Sequence, residues 1–278
     1  MRIDCIIVLY NPKDEFLSHF NEIINSFNEL FFIDNSTKPN EMIISEIKKN
    51  KNVKYISMDG NKGIAAALKL GVEESLKNSP DYILTLDQDS RFPIEKYEDI
   101  KQVLQRELDS KYGIIGLNVN SNETSMEIRD VTWIITSGNF INTKNYQSLK
   151  QGFDERLFID GVDQDICHSF HQEGFKIGLI PGASLVHEIG NPIYHRILWK
   201  KFSTFNYPPF RYYYMFRNYY YLVKKDKNFF KKEYRKVKYY QTFKILFYEK
   251  NKRIKLKAAK LGKQDAKKGI LGEMRHEL

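Results

Sequence analysis

Apolar residues in the first 87 positions recur in short runs that alternate with longer amphipathic segments. The runs have the length and the β-branched content of buried strands, and the segments between them carry the three- to four-residue spacing of helices. This alternation predicts a mostly parallel sheet with helices on both faces. The predicted strands are residues 3–10, 30–34, 53–57 and 82–87, and the predicted helices are 14–28, 40–50 and 61–77.

Between residues 112 and 188 the pattern loosens into short strands around one helix that opens near Asp163. We expect this stretch to complete the same domain, which then covers residues 1–195. Residues 196–278 predict a separate region of two or three helices. The predicted strands of the second stretch are 113–118, 131–136, 176–180 and 184–187.

Charge is divided unevenly between these two parts. The 278 residues carry a net charge of +9, which is −8 over residues 1–196 and +17 over residues 197–278. The basic part interleaves lysine with phenylalanine and tyrosine, a composition typical of helices that lie in a lipid headgroup layer. A single-strand nucleic-acid platform or a solvated bundle with inward aromatics has a similar composition. No nucleic-acid-binding motif accompanies it, so we expect no nucleic acid as partner.

The apolar fraction of 42% suffices for a full core, yet no run approaches the roughly 20 apolar residues that span a bilayer. The first strand begins without the basic and apolar regions of a signal peptide. Cys5 and Cys167 have neither the number nor the spacing of a disulfide framework or a zinc site. We therefore expect a cytoplasmic chain without a transmembrane helix.

Two carboxylates follow the fourth predicted strand, where LDQD at 86–89 ends in Asp87 and Asp89. Ligands of open α/β sheets bind beyond the carboxyl ends of the strands, so this is the first place to look for a site. A turn there lets both carboxylates approach one hard cation or its waters. Mg²⁺ or Mn²⁺ at this point would stabilise a diphosphate leaving group. Asp-x-Asp is also a common turn sequence, which is the structural alternative.

A turn with small residues precedes the third predicted helix, in GNKGIAAA at 60–67. Small residues allow a ligand to approach the backbone, and free amides at a helix start suit an anion. The lysine precedes Gly63, so this is not a Walker A loop, and no Gly-x-Gly-x-x-Gly follows the first strand. A plain helix start packed on the sheet remains the alternative.

Four motifs in this order resemble glycosyltransferase family 2, most of all its bacterial rhamnosyltransferases of polysaccharide assembly. The resemblance implies a GT-A fold, with a Rossmann-like, mixed and mostly parallel sheet flanked by helices and a C-terminal basic and aromatic helical extension. It implies a nucleotide-sugar half at about 1–110 and an acceptor half at about 111–195. The motifs are VLYN at 8–11, DNS at 34–36, NKGIA at 61–65 and LDQD at 86–89.

The resemblance also implies roles for individual residues of these motifs. Residues from the first two motifs would lie near the nucleotide's base and ribose, and residues from the third would line the nucleotide or sugar pocket. Asp89 would hold the metal. The predicted donor-binding residues are Tyr10, Asn11, Asp34, Asn61, Gly63 and Asp87.

An acidic cluster opens the helix near residue 163. Transfer to an alcohol needs a base within hydrogen-bond reach of the hydroxyl, and a carboxylate at a rigid helix start can serve. Asp163 is the predicted base, and the resemblance agrees, since the family places an aspartate at this position. Val162 replaces the acid that usually precedes it. Asp160 and Asp165 therefore stay open as sharing the role. The helix dipole also favours acidic residues here without any catalytic task.

Other candidates lie further along the chain. His187 follows a short apolar strand, and the family often has a metal-contacting histidine in such a setting. Ser137 and Gly138 resemble the segment that lines the acceptor side. Arg211 and Arg217 belong to a RYYYMFRN segment that in the family lies near the active site, where we expect contact with the acceptor's diphosphate.

Together these features predict an inverting, metal-dependent glycosyltransferase that moves L-rhamnose from dTDP-rhamnose onto a polyprenyl-diphosphate-linked saccharide of a capsule or cell wall. We expect it at the inner face of the cell membrane, held by anionic lipid. A UDP-hexose or galactofuranose transferase would need the same metal and base. A sugar-nucleotide-forming nucleotidyltransferase and a basic membrane- or nucleic-acid-binding protein are the rivals from other classes.

Overall fold

The computed structural model describes residues 1–187, 192–197 and 199–278, with only the backbone described for His187, Ile197 and Lys200. The chain divides into two compact units. Unit 1 comprises residues 1–155 and 162–188, and unit 2 comprises residues 156–161 and 189–278. The sequence predicts a single division after residue 195, whereas unit 2 begins at residue 189 and also includes the short segment 156–161.

Unit 1 is an α/β unit built on one nine-stranded sheet. Its strands are β1 (Ile3–Leu9), β2 (Leu30–Asp34), β3 (Val53–Ser57), β4 (Tyr82–Asp87), β5 (Ser90–Arg91), β6 (Tyr112–Val119), β7 (Arg129–Val131), β8 (Asn139–Asn142) and β9 (Lys176–His187). Its α-helices are α1 (Phe16–Ile23), α2 (Glu41–Ile47), α3 (Ile64–Leu76), α4 (Tyr97–Arg106), α5 (Thr143–Gln147) and α6 (Val162–Gln172). Short 3₁₀ helices span Ile94–Lys96 and Glu155–Leu157, and the second of these crosses from unit 1 into unit 2.

The sheet has the order β3-β2-β1-β4-β8-β6-β9-β5, with β7 added beside β9. The four strands of the first half are parallel to one another. Strand β8 runs antiparallel between β4 and β6, which makes the sheet mixed. Every residue of β1 and β2 is buried, because central parallel strands are covered on both faces. Gly71 lets α3 approach the sheet, since an added Cβ would lie 2.6 Å from Ile6.

The predicted α/β class with a mostly parallel first half is confirmed, and strands β2, β3 and β4 match their predicted limits. The predicted strand 131–136 is wrong, because β7 ends at Val131 and the backbone amide of Thr136 donates to a side chain instead. The predicted strands 176–180 and 184–187 are one strand, β9, with a register shift against β6. The sequence pattern did not predict β8.

Unit 2 consists of a hairpin, several helices and the segment 156–161. Pro208 and Pro209 begin the first helix, where a missing N–H costs nothing. Asp226 caps the second helix by accepting from Asn228 N at 2.9 Å. The elements are β10 (Ile193–Ile197), β11 (Lys200–Thr204), α7 (Pro209–Lys225), α8 (Lys227–Arg235), a π-helix (Lys236–Gln241), α9 (Thr242–Phe247) and α10 (Lys252–Lys268).

Helices α7 and α10 form the centre of unit 2. Gly262 allows their close approach, because an added Cβ would lie 2.1 Å from the carbonyl oxygen of Tyr213. Nearby, the Tyr212 hydroxyl donates to Glu249, and Lys255 Nζ lies 2.8 Å from the same carboxylate. Tyr212, Glu249 and Lys255 are all buried. Within the described residues, no helix has the length and apolar character to cross a membrane.

Candidate active site

The loops that follow β1 and β4 are joined at the carboxyl edge of the sheet. Strands β1 and β4 are parallel neighbours, so both of their carboxyl ends reach this edge. Gln88 Oε1 accepts from Tyr10 N at 2.8 Å, and Gln88 Nε2 donates to Tyr10 O at 3.2 Å. The Tyr10 side chain is 46% exposed. The arrangement holds an aromatic ring in solvent beside the two carboxylates of the LDQD motif.

Asn11 connects the loop after β1 with the loop after β2. Its backbone has φ +46°, a left-handed conformation that asparagine tolerates better than most residues. The Asn11 amide donates to Ser36 Oγ at 2.7 Å, and Asn11 Oδ1 accepts from Lys38 N at 3.0 Å. The two loops therefore share one hydrogen-bonded framework.

Asp34, at the end of β2, is buried and uses both carboxylate oxygens. Oδ1 accepts from Ser36 N at 3.0 Å, and Oδ2 accepts from the Tyr55 hydroxyl at 2.6 Å. Burial, with the hydrogen bond to Asp34, raises the pKa of Tyr55 well above its ordinary value. Sequence reasoning missed Tyr55, because one tyrosine in a strand gives no signal of its partner.

The loop before α3 is fastened to the loop after β2 by paired amides. Asn35 Nδ2 donates to Asn61 Oδ1 at 3.1 Å, and Asn35 Oδ1 accepts from Lys62 N at 2.7 Å. Asn61 Oδ1 also accepts from Gly63 N at 3.0 Å. Gly63 has φ +90°, which L side chains rarely adopt. Asn61 and Gly63 thus lie on the same edge as Asp34, joined through the buried Asn35.

Two carboxylates after β4 and a third at the start of α6 lie near enough to one another for their charges to interact. Burial is the main cause that raises the pKa of Asp87 to about 7, and the charges of Asp89 and Asp163 raise it further. Asp163 Oδ1 accepts from Thr136 N at 3.1 Å, which orients the carboxylate at the helix start. Tertiary structure therefore brings Asp163 to a pair that lies more than 70 residues earlier in the chain.

Ser137 and Gly138 pack against the turn that carries Asp87 and Asp89. Ser137 is buried, its Oγ accepts from Asp87 N at 3.0 Å, and it shares a 2.8 Å hydrogen bond with Ser90 Oγ. Gly138 has φ +82°, and an added Cβ would lie 2.4 Å from a methyl of Leu185. The structure gives both residues a bracing position, and their predicted contact with an acceptor stays a prediction.

His187 is the last residue of β9, and its backbone pairs with that of Ser90 in the antiparallel β5–β9 ladder. This register sets its backbone beside the residue that follows Asp89. The His187 side chain lies outside the described residues, so its predicted metal contact stays a prediction. Among the side chains that the structure does describe, no three from His, Cys, Asp and Glu gather closely enough to hold a metal ion.

The predicted acceptor-binding arginines both lie in unit 2. Arg217 is 0% exposed and binds backbone. Its Nη2 donates to the carbonyls of Arg156 at 3.1 Å and Leu157 at 2.9 Å, and its Nη1 donates to Gly272 O. This burial argues against the predicted contact of Arg217 with an acceptor diphosphate, because the guanidinium N–H groups already bind carbonyl groups of the protein. The stretch RYYYMFRN predicts a helix but not which of its faces is buried.

Segment 156–161, which leads into α6, is bound along its length by α7. Asn218 Nδ2 donates to the carbonyls of Leu157, Ile159 and Asp160 at 2.8, 2.7 and 2.7 Å. Phe158 and Asp160 have φ +66° and +67°, a costly conformation outside glycine. Asn218 carried no predicted role. Its contacts show that α7 holds the strained turn just before Val162, where the helix with Asp163 begins.

The fold and these residues define a glycosyltransferase with a GT-A fold. The chain belongs to the family "Glycosyl transferase family 2", whose model matches residues 4–172, more than half of the chain. It is 26% identical over 250 residues to the dTDP-rhamnosyl transferase RfbF of Shigella flexneri, covering 81% of this chain and 80% of that protein. The predicted family and its rhamnosyltransferase-like character are therefore confirmed.

Solved structures of low sequence identity share the fold. GalNAc-T7 with UDP, GalNAc and Mn²⁺ aligns with a TM-score of 0.64 at 13% identity over 97% of this chain and 56% of that one. Residues 1–349 of S. aureus TarS align with a TM-score of 0.62 at 14% identity over 96% of this chain and 81% of that one. This chain covers 37% of the length of a longer TarS chain.

Proposed function

We propose that the chain transfers L-rhamnose from dTDP-rhamnose, with inversion, to a hydroxyl of a lipid-linked saccharide in capsule or cell-wall polysaccharide assembly. The observation that carries this proposal is the convergence of Asp87, Asp89 and Asp163 at the sheet edge formed by the family's nucleotide motifs. Similarity to a dTDP-rhamnosyl transferase along most of both chains supports the choice of donor.

The donor's nucleotide binds along the carboxyl ends of β1 and β2. The exposed ring of Tyr10 offers a stacking face for a base. Asn11 and Asp34 form the hydrogen-bonded wall beside it. The loop with Asn61 and Gly63 stands where small residues and backbone amides accommodate a phosphate or a sugar. The proposal thus gives each of these residues a role in binding the donor.

A divalent cation, Mg²⁺ or Mn²⁺, fits the chemistry of the carboxylate cluster. Asp89 and His187 would hold it, with Asp87 close by, since oxygen and imidazole ligands suit such ions. Two observations support the fit: burial, with the charges of two neighbouring carboxylates, raises the pKa of Asp87, and the backbone of His187 pairs with that of Ser90, next to Asp89. When bound, the ion neutralises the diphosphate leaving group.

Asp163 acts as the base in this proposal. Its carboxylate takes the proton of the acceptor hydroxyl while that oxygen forms a bond to the anomeric carbon. The bond from that carbon to the diphosphate oxygen breaks, and dTDP leaves with the electron pair. Attack opposite the leaving group inverts the anomeric carbon. The bond from Thr136 N orients the carboxylate for this task.

The proposed location is the cytoplasmic face of a membrane, with unit 2 against anionic lipid. Residues 227–260 hold thirteen lysines and arginines against two glutamates, neither of which is exposed. The π-helix and α9 present Tyr239 and Phe247 to solvent, with exposed fractions of 61% and 64%, and Leu246 lies between them in the sequence. Lysines flanking exposed aromatics suit a headgroup layer.

A thermal-shift titration with Mn²⁺ and dTDP, UDP, GDP or CMP tests the donor and the metal together, because a ligand that binds the folded state raises its stability. We expect dTDP to raise Tm most, and only with the metal. Asp89→Ala should remove the metal-dependent part of the shift, and Asp99→Ala on α4 is the matched control. Preference for UDP would indicate a UDP-hexose transferase, and a shift unaltered in Asp89→Ala would refute the metal assignment.

A further inference from the structure

A cavity of about 240 Å³ lies within unit 2, between α7, α8, the π-helix and α10. Its walls combine aromatic rings with amines, and none of the residues that line it is acidic. The rings of Tyr220 and Tyr234 meet edge to face at 6.1 Å between centroids. The lining residues that matter here are Phe216, Tyr220, Tyr234, Val237, Lys238 and Lys263.

One wall of the cavity is the π-helix, a rare conformation that occurs preferentially at functional sites. Its wider turn supplies Val237 and Lys238 to the cavity. The turn is closed by Thr242, whose hydroxyl donates to the Lys238 carbonyl at 2.6 Å. The same helix carries Tyr239 and Tyr240 on the exposed surface, so one helix both lines the cavity and presents the proposed membrane-facing tyrosines.

Positive charge is concentrated at this cavity. Lys238 Nζ donates to the Tyr239 hydroxyl at 3.0 Å, and Lys263 Nζ lies 5.9 Å from the centroid of the Tyr220 ring. The hydrogen bond from Lys238 is the main cause that lowers the pKa of the Tyr239 phenol, and the charges of Lys238, Arg235 and Lys263 lower it further. Within the part of the chain that the structure describes, neither Lys238 nor Lys263 forms an ion pair with a carboxylate.

We propose that this cavity binds one phosphate-bearing lipid, with the phosphate between Lys238 and Lys263 and the first carbons of the apolar chain against Phe216, Tyr220 and Tyr234. Two amines without an acidic neighbour suit a phosphate, and an aromatic wall suits a hydrocarbon chain. The volume accommodates a phosphate and a few carbons, so the rest of the lipid stays in the membrane. A phospholipid and a polyprenyl phosphate share this chemistry.

The inference rests on the proposed function only for the presence of a membrane. Unit 2 contains every residue of the cavity, and the proposed donor site lies in unit 1. Nucleotide binding and lipid binding are therefore measured separately. Loss of one with retention of the other shows which proposal has failed.

The full chain is first bound to vesicles of phosphatidylcholine that contain either phosphatidylglycerol or a polyprenyl phosphate, and is then released. Native mass spectrometry counts the lipid molecules that each chain retains. We expect one phosphate-bearing lipid per chain. Lys238→Gln with Lys263→Gln should weaken that binding roughly 30-fold, the combined effect of two lysines near lipid phosphate. The matched control is Lys267→Gln with Lys268→Gln at the exposed end of α10, outside residues 227–260, which removes equal charge and should keep the retained lipid.

Two further arms separate the sources of the phosphate. Val237→Phe fills the cavity, and we expect it to exclude the lipid while inorganic phosphate still binds at the lysines. A preference between the two lipid classes in parallel vesicles identifies the natural source. Retention of one lipid by the variant with both Lys238 and Lys263 replaced, equal loss in the α10 control, or inorganic phosphate binding as tightly as lipid would each overturn the proposal.

Discussion

Arg211 and Asp160 form a two-point ion pair in which Nε donates to Oδ2 at 3.0 Å and Nη2 donates to Oδ1 at 2.7 Å. Two parallel hydrogen bonds of this kind fix the relative orientation of the guanidinium and carboxylate planes and are among the stronger polar contacts. Burial raises the pKa of Asp160, and the Arg211 guanidinium counteracts part of that rise. Both carboxylate oxygens accept from Arg211, which favours Asp163 as the base.

Asp160→Asn therefore tests whether Asp160 shares the base role. Asparagine accepts the left-handed backbone of this position and keeps one acceptor for Arg211. We expect kcat to fall by less than about tenfold and the free energy of unfolding to fall by about 1–2 kcal/mol, because a charged hydrogen bond is weakened. A kcat loss as large as that of an Asp163 variant would make Asp160 a second base.

Asp163→Asn removes the proposed base while Oδ1 can still accept from Thr136 N, so the helix start is preserved. We expect transfer to fall by at least ~10²-fold with dTDP affinity unchanged, because base catalysis contributes on this scale. Single-turnover kinetics beside calorimetric dTDP affinity provide the test. Asp165→Asn is the matched control, since Asp165 is buried on the same helix turn and should lose much less transfer. Near-normal turnover by Asp163→Asn would reassign the base.

Asn218→Ala should lower kcat by about 10- to 100-fold, since small displacements of a catalytic group have effects of this size. The variant frees three carbonyls of the segment that leads into α6, which carries Asp163. Donor KM should stay unchanged, which identifies a positioning residue.

Tyr212→Phe is the control for Asn218, because Tyr212 is buried on the same helix and its hydroxyl binds Glu249, away from the segment. Both variants should lower Tm. A kcat loss of equal size in Tyr212→Phe would show that Asn218 acts only through the stability of unit 2.

Glu249→Gln should destabilise unit 2 by about 3–5 kcal/mol, because it leaves the buried amine of Lys255 without its counter-charge. Glu249→Gln with Lys255→Met removes both charges and should recover much of that loss. Denaturant unfolding, followed by tryptophan fluorescence or circular dichroism, measures the difference in free energy of unfolding between the two variants. Equal destabilisation by the single and the double variant would show that the uncompensated charge of Lys255 is not the cause of the loss.

Several strands and motifs of the active site could be predicted from sequence because their signals are local. Continuous apolar runs specify the buried parallel strands β2, β3 and β4, and polar residues at their ends mark the edge where ligands bind. Strand β8 gave no such signal, because its four residues NFIN lack a recognisable pattern and are placed by neighbours distant in sequence. The hairpin of β10 and β11 was missed for a similar reason, since IYHRI and KKFST show no regular alternation of apolar and polar residues.

The sequence by itself determined the α/β class, the family and the order of the motifs, because periodicity and short motifs are properties of neighbouring residues. Only the tertiary structure decided that Asp163 joins Asp87 and Asp89, that Arg217 serves the fold, and that Asn218 binds segment 156–161. These relationships depend on burial and on hydrogen bonds between residues separated by tens of positions. Such contacts follow from packing of whole elements, which no local pattern encodes.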